Sequence, residues 1–366
     1  MIQADVAIIG AGVAGLRVAG MLQKAGVSCA ILDARDRLGG RIVTVDADGA
    51  PSKDGFDLGP SWFWPGTQPD IGRLVEELGL ASFLQHSDGD VVFERMAREP
   101  SHRFRAVNQE PQSRRLVGGS ARLIRALAAQ VAPDSIRLNT RVIEARLTDD
   151  GVVLTTLDAN GRTDILHARR IVAALPPRLL AAHVQFLPAQ GADTLARWQA
   201  TPTWMAPHAK FFAFYDRPFW REVGLSGTAQ SMVGPMVEMH DATTASGAAA
   251  LMGFIGVPAE QRAARGETDL TAACLAQLAR IFGAQAQAPQ ATLIKDWAAD
   301  PLTATSADRF AGGYIAPSDQ AWVAGPWAQH LFLAGSETSP VEPGYLAGAV
   351  VAAERAARLI IPTSQV

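Results

Sequence analysis

Six residues near the start of the chain, Gly10-Ala11-Gly12-Val13-Ala14-Gly15, restrict the fold more than any other feature. They stand between two apolar runs, Asp5 to Ile9 and Val27 to Leu32, and the residues from Val13 to Ala25 have helical spacing that ends at Gly26. Neither run alternates polar with apolar, which is the pattern of a parallel strand covered on both faces. A strand, tight turn, helix and second parallel strand are therefore expected. Gly10 permits the turn, Gly12 has no Cβ to block an approaching phosphate, and Gly15 lets the helix pack closely on the strand; the helix N-terminus adds free N–H groups and a positive dipole end. Asp33 lies 18 residues beyond Gly15, at the end of the second run. A carboxylate there can accept hydrogen bonds from a ribose and favours an unphosphorylated one, hence FAD or NAD over NADP.

At 366 residues the chain is longer than one hydrophobic core usually supports, and about two domains are expected. A hydrophobic content of 48% excludes disorder for most of it, and a net charge of -3 offers no global attraction to nucleic acid or to an anionic membrane. The two cysteines, Cys29 and Cys274, read as reduced core thiols, and the seven histidines show no metal spacing. The opening MIQADVAIIG lacks the pattern of a secretory signal, and no apolar run reaches the roughly 18 residues of a membrane span. A cytoplasmic protein is the expectation. Only Lys24, Lys53, Lys210 and Lys295 are lysines, so the place of each matters.

Further along, Ser120 to Val131 reads as an amphipathic helix, Ile136 to Leu147 and Val152 to Leu157 as strands, and Arg170 to Ala174 as a short strand ended by Pro176-Pro177. Thr201 to Tyr215 reads as extended, Thr271 to Phe282 as helix, and Gly283 to Gln290 as loop. Leu331 to Ala334, Gly335 to Gly344 and Tyr345 to Ile360 repeat the opening logic of strand, loop and helix. These signals fit a nucleotide-binding domain built from separated segments. After Asp33 comes Arg35-Asp36-Arg37-Leu38-Gly39-Gly40-Arg41, where a second glycine pair suggests another close approach of backbone to a charged ligand, with Arg41 free to bind phosphate. Strand, loop and helix N-terminus at the chain's end could aim donors at a flavin ring.

The stretches IIGAGVAGL, LDARDRLGGR, DLGPSW, LVGGSARL, AALPP, AKFFAFYDRPFW, MGFI and LFLAGSETSPVEPGYLAGAVVAAERAA occur in one order and run nearly end to end. In them the chain resembles the flavin amine oxidases, the monoamine oxidase-like family. The resemblance implies an α/β fold: a Rossmann-like FAD domain from discontinuous segments (1–80, 115–198 and 300–366) and a smaller α+β substrate domain (81–114 and 199–299). It implies FAD held by Gly10, Gly12, Gly15, Asp33, Arg35, Gly40, Arg41, Gly59, Val142, Gly335, Glu337 and Leu346. The implied reaction takes a hydride equivalent from the carbon beside an amine; the imine hydrolyses, and oxygen reoxidises the flavin to give peroxide.

Lys210 matches the family lysine that holds a water against the flavin, and on a strand it would share a face with Phe212 and Phe214. Trp297 matches a tryptophan near the flavin, while Lys295 is expected in solvent. Tyr345 matches one of two aromatic residues that cage the amine in many members. Ser306 to Asp308 fall where the second aromatic, and in some members a flavin-linking cysteine, would lie. Non-covalent FAD and an incomplete or rebuilt cage follow. Trp62 and Trp64 could serve core or pocket. The family's long helical insertion shrinks here to the segment between Leu80 and Gly118, rich in arginines (Arg95, Arg98, Arg103, Arg105, Arg114 and Arg115), read as a lid, a surface for a partner subunit or second copy, or a solvated loop. The alternatives to an amine oxidase are an oxidase, desaturase or isomerase of a non-amine substrate, or a flavin-binding partner subunit.

Overall fold

The first apolar run becomes the strand Ile2–Ile9, the helical spacing becomes Val13–Lys24, and the second run becomes Cys29–Leu32, parallel to the first. This computed structural model describes residues 2–105, 111–310 and 313–362. Around that unit a sheet is ordered Gln185–Leu187, Thr140–Thr148, Gly151–Asp158, Thr163–Ala173, Ile2–Ile9, Cys29–Leu32 and Ile136–Arg137, with Leu331–Leu333 joining the end of Thr163–Ala173. The missing alternation has its reason here. Val6 and Ile8 face the helices Val13–Lys24, Ala121–Ala128 and Leu346–Ile360, whereas Ala7 and Ile9 face a second core that includes Phe186, Trp198 and Trp327. Both sides are buried, so both carry apolar residues.

A second sheet is ordered Ala291–Asp296, Ala209–Tyr215, Ala249–Ile255, Met236–Asp241, Leu225–Ser231, Asp90–Glu94 and His102–Arg105. One face packs on the helix Glu267–Phe282 through Phe211, Leu251 and Met239. Its other face carries Phe212, Phe214 and Met252 against Phe56, Leu58 and Trp297.

Several sequence expectations change. The short strand at Arg170 to Ala174 is the end of the longer Thr163–Ala173, whose first half pairs antiparallel with Gly151–Asp158. The continuous strand expected from Ile136 to Leu147 breaks at Asn139, whose φ of 51° leaves the extended region. Extended structure between Thr201 and Tyr215 starts only at Ala209; the residues before it form a turn with Met205 at φ 62°. The arginine-rich segment, outside 106–110, is not uniformly solvated. Arg95, Arg98, Arg103 and Arg105 are exposed, but Arg114 bonds Ser82 and Arg115 is buried, donating to the carbonyl oxygens of Ala242 and Thr243.

Candidate active site

A cavity of about 670 Å³ runs between the glycine-rich turn and the second sheet, within the size range of cofactor and ligand sites. The end at the glycine-rich turn is made of backbone. Gly39 N–H donates to Ala11 O, which fixes the second glycine pair beside the first. A Cβ on Gly12 would reach no atom nearer than Gly39 O at 3.9 Å, so the space it would fill belongs to the cavity. By contrast, a Cβ on Gly15 would lie 1.9 Å from Gly10 O: Gly15 serves helix packing and does not line the cavity. The helix Val13–Lys24 has no side-chain cap and no acid in its first turn, leaving orphan N–H groups and the positive dipole end for an anionic ligand. The buried Asp33 takes Ala11 N–H on Oδ2 at 2.7 Å and Arg35 N–H on Oδ1 at 2.8 Å, with a lone pair left on each oxygen.

Gly10, Gly40, Gly59, Val142, Gly335 and Leu346 also line this cavity. Arg35 lines it as well, but its guanidinium is held by Asp300 at 2.9 Å and Thr303 at 2.9 Å. Arg41 differs from the expectation of a free guanidinium. It pairs with the fully buried Glu337 at 2.6 Å and donates to Ser336 Oγ and to Trp204 O, because a carboxylate with no access to water requires a cation or several donors. Glu337 therefore stands behind Arg41 and does not line the cavity.

The opposite end is made of side chains. Lys210 lies on Ala209–Tyr215 beside Phe254, and Phe254 lies beside Glu238, so strand register sets Lys210, Phe254 and Glu238 in one row on one face. Lys210 Nζ donates to Asp57 O at 3.2 Å, Gly59 O and Ser61 Oγ at 3.0 Å, and sits 5.3 Å from the Phe254 ring centre and 5.7 Å from that of Trp62. It does not snorkel to solvent. Burial lowers its pKa from the ordinary 10.5 to about 7; the Asp57 charge opposes the fall and the Arg115 charge adds to it. Trp297 is buried in the wall with Nε1 bonded to Leu58 O, and Trp62 and Trp64 both line the cavity. The solvated position expected for Lys295 is not found: its ammonium lies over the Trp297 ring at 4.4 Å, 3.9 Å from Asp300.

Tyr345 lines the cavity 5.3 Å, ring centre to ring centre, from Trp204, which stands 5.0 Å from Tyr314. Burial and the neighbouring Tyr314 raise the Tyr345 phenol to about 12, so it stays neutral. Trp204 was not legible in the sequence because it sits in an irregular turn. Its backbone is fixed on both sides, Trp204 N–H on Glu337 and Trp204 O on Arg41, and Gly344 leaves room for it, since a Cβ there would fall 2.5 Å from Trp204 Cβ. Glu238 was missed too. It lines the cavity with His240 Nε2 2.6 Å away, a contact that lowers its pKa and keeps it ionised.

A family model described as flavin containing amine oxidoreductase matches residues 13–112 and 97–361. The chain belongs to that family. It is an FAD-dependent amine oxidoreductase, and the uncapped helix, the glycine cradle and the acceptor Asp33 fit such a cofactor. Among curated relatives, a probable flavin-containing monoamine oxidase A of Dictyostelium discoideum is 24% identical over 459 aligned positions, covering 97% of each chain. Putrescine oxidase of Kocuria rosea is 25% identical over 71% of this chain and 77% of its own. Among solved structures, cyclohexylamine oxidase from Brevibacterium oxydans superposes with a TM-score of 0.78 at 23% identity over 98% of both chains. Putrescine oxidase bound to putrescine gives 0.75 at 22% identity, over 98% of this chain and 99% of that one. The alignment of 459 positions exceeds the 366 residues here, so the first relative carries segments this chain lacks. Among the described residues no helix is long and apolar enough to cross a membrane, and no group of His, Cys, Asp and Glu could hold a metal ion.

Proposed function

We propose that the protein oxidises an amine to an imine, which hydrolyses to a carbonyl compound, with oxygen as final acceptor and peroxide as product. The observation that carries this reading is the buried Lys210, held at the aromatic end of the same cavity whose other end is the glycine cradle. FAD would lie with its phosphates on the turn at Gly10 and Gly12 and the helix at Val13, its ribose on Asp33, and further contacts to Arg35, Gly40, Arg41, Gly59, Val142, Gly335 and Leu346. Bound flavin supplies a two-electron acceptor for the C–H bond next to nitrogen. The chain's own groups do the rest. Tyr345 and Trp204 present electron-rich faces that guide and orient the amine, Phe254, Trp62 and Trp297 exclude water, and Lys210 can exchange one of its present acceptors for a water at the reaction centre. A lysine with a pKa near neutrality can also accept and release a proton there.

The row through Lys210 and Glu238 points further. Two strand spacings set these positions about 10 Å apart. If the reacting amine sits by Lys210, the ionised Glu238 can receive a second cationic group of the substrate. A diamine fits this arrangement, in keeping with the likeness to putrescine oxidase.

The flavin is proposed to be non-covalent. Cys274 lies in the helix behind the second sheet with its thiol pushed up to about 12, Cys29 lies in the core of the first, and neither lines the cavity. Two reduced buried thiols accord with a cytoplasmic location. The same reading assigns 1–80, 115–198 and 300–366 to the FAD domain, and 81–114 and 199–299 to the substrate domain. Purified protein given diamines in air should release peroxide and carbonyl product, and acid precipitation should leave all the flavin in the supernatant. Peroxide formation with non-amine substrates alone would overturn the assignment.

A further inference from the structure

We propose that a second cavity, of about 420 Å³, binds a small oxyanion through Arg221 and Thr243. It lies beside the candidate active site: Gln85 forms part of its wall and accepts a hydrogen bond from Nε1 of Trp62, which lines the first cavity. Arg221 donates Nε to Asp241 Oδ2 at 2.7 Å, and among the described residues neither Nη group has a protein partner. The guanidinium is thus fixed along one edge while another, with two parallel N–H donors, stays available; that fork matches a carboxylate or a phosphate. Thr243 lines the same cavity, is only 6% exposed, and has no partner for Oγ1 among the described residues. A hydroxyl that deeply buried costs free energy unless something bonds it. His86 also lines this cavity, and its buried Nε2 has no partner among the described residues.

The charges around the cavity favour an anion. Both oxygens of the buried Asp241 are engaged, with Trp220 Nε1 and Arg221 Nε on Oδ2 and Thr243 N–H on Oδ1. Behind the wall the buried Arg115 donates Nη1 to Thr243 O at 2.9 Å and Nη2 to Ala242 O at 3.1 Å, a second positive charge beneath the turn that carries Thr243. Asp88 also lines the cavity but is exposed, where water screens it. What remains unused inside is a guanidinium edge and a hydroxyl.

The test is calorimetric titration of the flavin-loaded protein with inorganic phosphate, and separately with acetate and citrate, at constant ionic strength. Saturable binding of at least one of these is expected: phosphate alone identifies a phosphate site, and acetate or citrate a carboxylate site. Arg221→Gln should raise Kd by about tenfold or more, and Thr243→Val by roughly threefold. Thr243→Val decides the matter if Arg221→Gln does not fold, because the Thr243 hydroxyl has no partner among the described residues and its loss should not lower the melting temperature. No saturable binding by any of the three anions, or binding that Thr243→Val leaves unaltered, would overturn the proposal.

Discussion

The two ends of the main cavity are built from different material. The end at the glycine-rich turn, the proposed cofactor site, is largely backbone: orphan N–H groups of Val13–Lys24 and glycines without a Cβ, joined by the Asp33 carboxylate tied to two amide groups two and 22 residues away. The opposite end, the proposed amine site, is side chain, assembled from Trp62, Trp204, Lys210, Glu238, Phe254 and Tyr345, most of which are distant in sequence. A backbone site tolerates little change, because a side chain on a glycine such as Gly12 would take the ligand's space. A side-chain site can be re-cut one residue at a time, so substrate choice is the property that can vary.

The sharpest way to break this contrast is Gly12→Val. This variant should purify without flavin, with activity reduced by about 1,000-fold or more, since the new side chain fills the phosphate space. Absorbance of the purified variant reads this directly. Lys210→Met should instead keep its flavin and slow reduction or reoxidation by roughly 100-fold in stopped-flow traces. The same residue has a stability signature. An unfolded lysine stays protonated to about 10.5 and the folded one only to about 7, so the unfolded state binds the extra proton between these values and wild-type stability should rise with pH across that window. Urea unfolding midpoints should show this rise in the wild type, and Lys210→Met should lack that contribution.

Smaller effects sharpen the comparison. Trp204→Ala should lower kcat/KM for amines by about tenfold while retaining flavin, because Arg41 and Glu337 hold only its backbone. Loss of flavin in this variant would show that the two ends are not separable. Glu238→Gln should raise KM for diamines about fivefold and leave monoamines unchanged, a modest change because half of this side chain faces solvent.

The same difference in material explains what could be read from the sequence. Gly10, Gly12, Gly15 and Asp33 announce themselves because backbone geometry demands particular residue types at fixed spacing. Lys210 was legible through its aromatic strand and the family match. Trp204 was not, because a turn without periodicity gives no clue to where its side chain points, and neither was Glu238, whose role depends on pairing between Met236–Asp241 and Ala249–Ile255. The buried position of Arg115 escaped for a related reason: it is covered by the carbonyl groups of Ala242 and Thr243, 127 and 128 residues away. Arg41 read as free because its partner Glu337 is 296 residues away.

An amine bound against Tyr345, Trp204 and Lys210 should pass its electrons to the flavin. Anaerobic mixing of the flavin-loaded protein with a panel of monoamines and diamines, followed by the oxidised flavin's visible absorbance, tests it most directly. Full bleaching by at least one amine is expected, with recovery of the absorbance on admitting oxygen and one peroxide formed per flavin. A flavin that stays oxidised with every amine yet bleaches with a non-amine substrate would contradict it.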